Sequence, residues 1–232
     1  MDEHMARTRK TNATSDTNET VAEAPSRSAL RRQREREQRL QTILAVAERL
    51  FAREGYHKTS MERIADEAEV SVGTVYFYFK NKEDLLLQLL DQTGYELRDL
   101  LGEAFRNAGG TLEGIRRAGM VFFEAFCPRH PDKIAIVFRE SAGQSDLVEE
   151  RRKRIFGKLI VDVQEALQQV ARTSGGRFRS AASAEVMATC ILGMFERLSY
   201  HYLIWQQRPQ DLQCVGEEAV EFIVGGVAQL MR

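Results

Sequence analysis

Between Ser71 and Lys82 the chain gathers hydroxyl and ammonium donors at Ser71, Thr74, Tyr76, Tyr78, Lys80 and Lys82, interleaved with Phe77 and Phe79. Hydroxyls and ammonium groups donate to phosphate oxygens, and aromatic rings pack on sugars and thymine methyls, so these residue types suit recognition of a nucleic acid. The small residues Ser71, Gly73 and Thr74 let backbone approach a phosphate, and Lys80 and Lys82 supply neutralising charge. The alternative is that the rings are core of a small helical bundle, which suits Phe79 and in part Tyr76. Bond-making chemistry has no comparable constellation: it needs a nucleophile with its base, paired carboxylates or a ligand cluster. Glu124 and Glu140, on apolar helices, read as buried polar residues seeking arginine partners. Cys127, Cys190 and Cys214 form no C-x-x-C, and Pro128 separates Cys127 from His130. No metal, cofactor or disulfide framework is therefore expected.

Two short helices must position the donors. Thr59 and Glu62 have the T-x-x-E spacing of a capping box, and Met61, Ile64, Ala65 and Ala68 follow on one face. After the turn Glu69-Val70-Ser71, Ser71 caps a second helix that buries Val72, Val75 and Phe79 and turns Thr74, Phe77 and Tyr78 outward. This is a helix-turn-helix spanning about residues 60–79. Ile43, Leu44, Ala47, Leu50 and Phe51 form the stripe of a supporting helix that stops at Gly55.

The pattern G-x-x-x-T-S-M-E-R-I-A followed by V-S-V-G-T-V-Y-F-Y-F-K-N-K-E-D-L-L resembles the amino-terminal domain of the TetR family of bacterial transcriptional regulators. The resemblance runs from about Arg39 to Leu90. It implies that Thr74, Tyr76, Tyr78 and Lys82 contact DNA, and that Thr59 and Ser60 lie where the first helix of the motif meets the backbone. Ser71, Gly73 and Phe77 complete the expected DNA-binding set. Glu62 stands where some relatives carry a basic contact residue, and a carboxylate there repels phosphate.

The full chain has 232 residues, 43% hydrophobic and 29% charged, with 4 prolines and a formal net charge of -1. Such a balance does not announce a nucleic-acid partner, so attraction to DNA must come from local charge distribution. No apolar run reaches membrane-spanning length and the first residues are polar, which predicts a cytoplasmic protein with no membrane partner. Few prolines and few alternating runs predict an all-α fold; the resemblance implies about nine helices, a three-helix DNA-binding domain followed by a larger helical domain for ligand binding and dimerisation. The expected boundaries are a disordered polar and basic arm over 1–30, the DNA-binding domain over 36–96 and the effector domain over 97–232. Arg27 to Arg39 holds six arginines against Glu35 and Glu37; this segment is either a solvated helix start or a contact to phosphates or a minor groove.

Asn81 caps a long helix carrying Leu85, Leu86, Leu89, Leu90 and Leu97 past Leu101, the mechanical link to the second domain. There AGMVFFEAFC is apolar nearly all round and must run through a core. An apolar aromatic wall including Phe122, Phe126, Phe138, Met194 and Trp205 is the expected effector site. VFRESAGQSDLVEERR resembles the effector domains of relatives that sense fatty acids or acyl-CoA thioesters. The last two helices carry stripes wider than one core requires, including Met187, Ile191 and Leu198 and then Ala219, Phe222 and Ile223, which predicts a two-fold homodimer. The expected function is a homodimeric repressor released from a palindromic operator by an apolar or amphipathic small molecule. The rival readings are a TetR-fold protein whose output is protein binding, and a DNA-binding protein that senses no ligand.

Overall fold

A computed structural model describes residues 26–231; most of the arm expected over 1–30 lies outside them. The chain divides after Glu37 into two units. Helix α1 (Arg27–Glu54) runs through that point, so Arg27–Leu30, expected to be disordered, are helical. Its exposed beginning has no apolar face, whereas Ile43, Leu44, Ala47, Leu50 and Phe51 are buried.

The helix-turn-helix is formed by α2 (Met61–Glu67) and α3 (Val72–Tyr78). The cap of α2 is one residue later than the T-x-x-E spacing predicts: Ser60 accepts from the Arg63 N–H at 3.1 Å. Thr59 is buried and donates its hydroxyl to the Gly55 carbonyl. The reason is the close of α1: Gly55, at φ 95°, turns the chain so that Thr59 faces the carbonyl it must satisfy. Between the two helices, Glu69 N–H bonds Asp66 O and Val70 N–H bonds Ala65 O, with Glu69 at φ 54°. This is a Schellman close with a glutamate where glycine is favoured. Ser71 caps α3, accepting from Thr74 N–H at 3.1 Å.

Asn81 caps α4 (Lys82–Asn107), which joins two cores. Its Leu85, Leu86, Leu89 and Leu90 are buried with Ile43, Phe51, Ile64, Val75 and Phe79, and Leu97, Leu100 and Leu101 pack on the second cluster. Left-handed Gly109 and Gly110 end it. Helix α5 (Leu112–Val121) continues through a π-helical turn (Phe122–Phe126) into Cys127–Arg129, and α6 (Pro131–Ala135) into a second one (Ile136–Glu140). Then follow α7 (Asp146–Thr173), α8 (Ala181–Ser199) with a π-helical end (Tyr200–Trp205), and α9 (Leu212–Leu230). Counted as continuous runs, the described residues form nine helices and no multi-residue strand. Phe122 stacks on Phe195 and Phe123 meets both edge-on, at 4.8–5.1 Å between ring centres, in the second core. Among the described residues, no helix is long and apolar enough to cross a membrane.

Candidate nucleic-acid interface and cavity

The outer side of α3 carries most of the expected contact residues. Tyr76 and Phe77 are 48% and 65% exposed. Tyr78 is half-buried and packs against the first core, so it is less outward than its position predicts. Ser71 and Thr74 hydroxyls hydrogen-bond each other at 2.8 Å at the start of the helix. Gly73 is exposed, and a Cβ there would meet only the Ser71 hydroxyl, at 3.8 Å; folding leaves room for a side chain. Ser60 is exposed at the start of α2. The Glu62 carboxyl is held below its ordinary range by hydrogen bonds from its own backbone N–H and from Ser60, so its charge occupies the helix end where a phosphate oxygen could bind.

Thr59 and Lys82 have different places from those expected. Thr59, 1% exposed, has no surface for a duplex. The Lys82 ammonium donates to Tyr56 O at 2.7 Å, Thr59 O at 2.9 Å and His57 O at 3.4 Å, and lies 4.4 Å from the centre of the Tyr56 ring. Its three N–H donors match three carbonyls, and burial lowers its pKa. Lys82 thus pins the loop entering α2 to the first residue of α4. Glu140 takes the other side of that loop, accepting Tyr56 N–H at 2.8 Å, while Arg139 donates to Ala52 O and pairs with Glu140. Glu140 accordingly finds an arginine partner, whereas Glu124 is exposed, contrary to its expected burial.

A second link runs through Lys133, which is buried and paired with Glu96 on α4, with Glu48 on α1 at 4.0 Å. Burial raises the Glu48 pKa despite Lys133. Sequence reading missed the Lys133 cluster, because a lysine at a buried position carries no periodic signature. The Cys127 thiol is driven up by burial, which leaves it an inert core group.

The larger domain contains a cavity of about 460 Å³ between α4, α5, α7, α8 and α9. Its wall is Leu101, Gly102 and Phe105 on α4, Ile115, Ala118 and Gly119 on α5, Leu159, Val163 and Ala166 on α7, and Ile191, Phe195, Val220 and Ile223. Arg98, Asp99, Asp162 and Glu165 add charge, and Arg98 donates to Asp162 at 2.8 Å. Phe122, Phe126, Phe138, Met194 and Trp205 are absent from this wall. Phe122 and Phe126 fill the second core, Phe138 stacks on Phe156, and Trp205 is 58% exposed beneath Arg197. Gly102, Ala118, Gly119 and Ala166 line the space beside the rings of Phe105 and Phe195; a Cβ on Gly119 would meet Val220 at 2.6 Å, so that glycine permits close helix packing at the wall. Four small residues on facing helices were the available signal.

The described residues thus form an all-α chain with a helix-turn-helix on one core and a cavity in the other. Residues 43–89, the segment holding the helix-turn-helix, match the family described as "Bacterial regulatory proteins, tetR family", and the likeness to known proteins supports a TetR-family transcriptional regulator. It is 23% identical to the fatty acid metabolism regulator protein of Bacillus subtilis, over 80% of this chain and 93% of that one. Against the transcriptional activator FasR of Mycolicibacterium smegmatis the identity is 25%, over 84% and 85% of the two chains. The crystal structure of the regulator FadR from Bacillus subtilis in complex with stearoyl-CoA superposes with a TM-score of 0.72 at 19% identity, covering 81% of this chain and 98% of that one. At that identity the likeness is one of fold.

Proposed function

We propose that this protein is a cytoplasmic, homodimeric repressor that binds a palindromic operator through α3 and is released by an apolar or amphipathic ligand. The observation that carries the reading is that one helix serves both ends. α4 walls the cavity with Leu101, Gly102 and Phe105 and, at Lys82, holds the loop that enters the helix-turn-helix. A ligand that binds one tilt of α4 better than another shifts the protein toward that tilt and changes DNA affinity by its differential binding energy. Exposed Tyr76 and Phe77, the open space over Gly73 and the hydroxyls of Ser71 and Thr74 support α3 as the reading element.

Dimerisation is supported by the outer face of the last two helices, where Val186, Phe222 and Leu230 are 58%, 73% and 53% exposed beside Cys190, Gly193, Gly225 and Gly226. Large apolar side chains among small ones suit a packed helical interface. A two-fold pair then presents recognition helices to half-sites about 34–36 Å apart. For the ligand, an apolar wall with a charged edge and the relatives' named connection to fatty acid metabolism favour a fatty acid or its acyl-CoA thioester.

Gly73→Ala tests the reading. Alanine is the better helix former by about 0.5–1 kcal/mol, so thermal stability should hold or rise. Affinity for a duplex selected by the wild-type protein from a randomised library should fall at least about tenfold, because the added methyl blocks close backbone approach. Unchanged affinity would remove α3 from the interface. Wild-type binding that selects no duplex would favour the protein-binding alternative.

A further inference from the structure

The first turns of α1 have a composition that folding does not explain. Residues 27–39 hold six arginines and two glutamates, a net charge of +4 in a chain whose total is -1, leaving -5 for the remainder. Every side chain from Leu30 to Arg39 is exposed, so no face of this stretch is buried. A helix polar all round gains nothing from packing, and one of this length is marginal by itself. The first turn has no acidic residue, so its arginine opposes the helix dipole. Arg31 pairs with Glu35 at 2.7 Å, but the two side chains are 82% and 52% exposed, which makes the pair worth a few tenths of a kcal/mol.

The arginines are nonetheless ordered. Arg27, Arg31 and Arg34 recur at i, i+4 and i+7, as do Arg32, Arg36 and Arg39; at 3.6 residues per turn the two rows lie about 140° apart on a rod about 20 Å long. Two cationic rows on one rod match the paired phosphate walls of a major groove, which is wide enough, at about 12 Å, to admit a helix. Guanidinium groups suit phosphate because they donate bidentately and shed water readily. An anionic membrane surface would also attract the charge, but a surface-seeking helix needs an apolar face, and between Arg27 and Arg39 the apolar residues are Ala29 and Leu30.

We infer that Arg27–Arg39 is a second DNA-contacting element, which grips backbone phosphates of duplex flanking the operator and reads no bases. The inference rests on the proposed DNA-binding function. Its test uses the full chain and the triple variant Arg31→Gln/Arg32→Gln/Arg34→Gln, a substitution that keeps helix propensity. Affinity is measured against KCl concentration for the library-selected duplex, trimmed to its central footprint or extended by about ten base pairs on each side. If each phosphate contact contributes about 0.9 to the salt slope, the wild type should have a slope steeper by about 2–3 on the extended duplex, with roughly tenfold higher affinity at about 0.1 M salt. The variant should not distinguish the two duplexes. Equal slopes and affinities for both proteins would overturn the inference while leaving operator binding intact. Failure of the wild type to select any duplex would instead remove the reading beneath it. Vesicles containing phosphatidylserine provide the last arm: arginine-dependent binding there, with unchanged duplex slopes, would assign the segment to a membrane surface and overturn the inference.

Discussion

At the scale of single residues, identity and role separate most clearly at Lys82. Its ammonium sits among the carbonyls of Tyr56, His57 and Thr59, so truncation leaves the part-buried Tyr56 and Thr59 acceptors without a donor. Lys82→Ala should therefore cost about 1–3 kcal/mol of stability, visible as a lower urea midpoint, and weaken DNA binding by loosening the entry to α2. Unchanged stability with weaker binding would return Lys82 to the role of a phosphate contact. His130 offers a second residue-level test. Burial, followed by the nearby Lys133 cation, holds its pKa below the ordinary 6.5. Between that depressed value and 6.5 the unfolded chain binds a proton that the folded chain refuses, so this contribution is intact above 6.5 and lost as pH falls through the folded value. Wild-type protein should lose more melting temperature than His130→Gln between about pH 7 and about pH 5; parallel losses would count against it.

At the scale of elements, the turn between α2 and α3 fixes how the recognition helix is presented. Schellman hydrogen bonds close it around Glu69, whose φ of 54° is unfavourable for a side chain bearing a Cβ. Glu69→Gly should relieve that strain and stabilise the domain by about 0.5–1 kcal/mol, checked by thermal melting. Destabilisation would mean that the freedom gained by the unfolded chain outweighs the relief. At its other end, α3 stops after two turns. Its buried anchor is Val75, and Phe79 already caps it in extended conformation while filling the core.

At the scale of the molecule, the two cores are joined by α4 and by the segment that follows Pro131. Lys133 reaches Glu96 and Glu48, Arg139 reaches Ala52, Glu140 reaches Tyr56, and Ser145 donates to Glu83. Packed helices and these directional hydrogen bonds are the route that the proposed release would use. Ala166→Phe would fill the cavity from α7 without touching these links. DNA affinity should stay within about twofold of wild type, below the roughly 1.4 kcal/mol that marks a tenfold change, while release by oleoyl-CoA disappears. Retained release would place the effector elsewhere.

Local chemistry in the sequence determined the helices and their ends. The stripes of α1 and α4, the caps at Ser71 and Asn81, and the glycines after α4 depend on neighbours within a few residues, which periodicity and capping rules read directly. The exposed positions of Ser60, Gly73, Tyr76 and Phe77 follow from the same local helical spacing. Which polar groups were free for a partner was decided by tertiary structure alone. Thr59 and Lys82 look like ligands for phosphate in the sequence, and in the fold carbonyls at the end of α1 and in the loop after it stand against both. The cavity was illegible for a complementary reason: Phe122 and Phe126 announce themselves in the sequence but fill the core, whereas the wall is assembled from residues on five helices distant in sequence. Hydrogen-bond commitment and empty volume are properties of packing between segments, and no single stretch of chain encodes either.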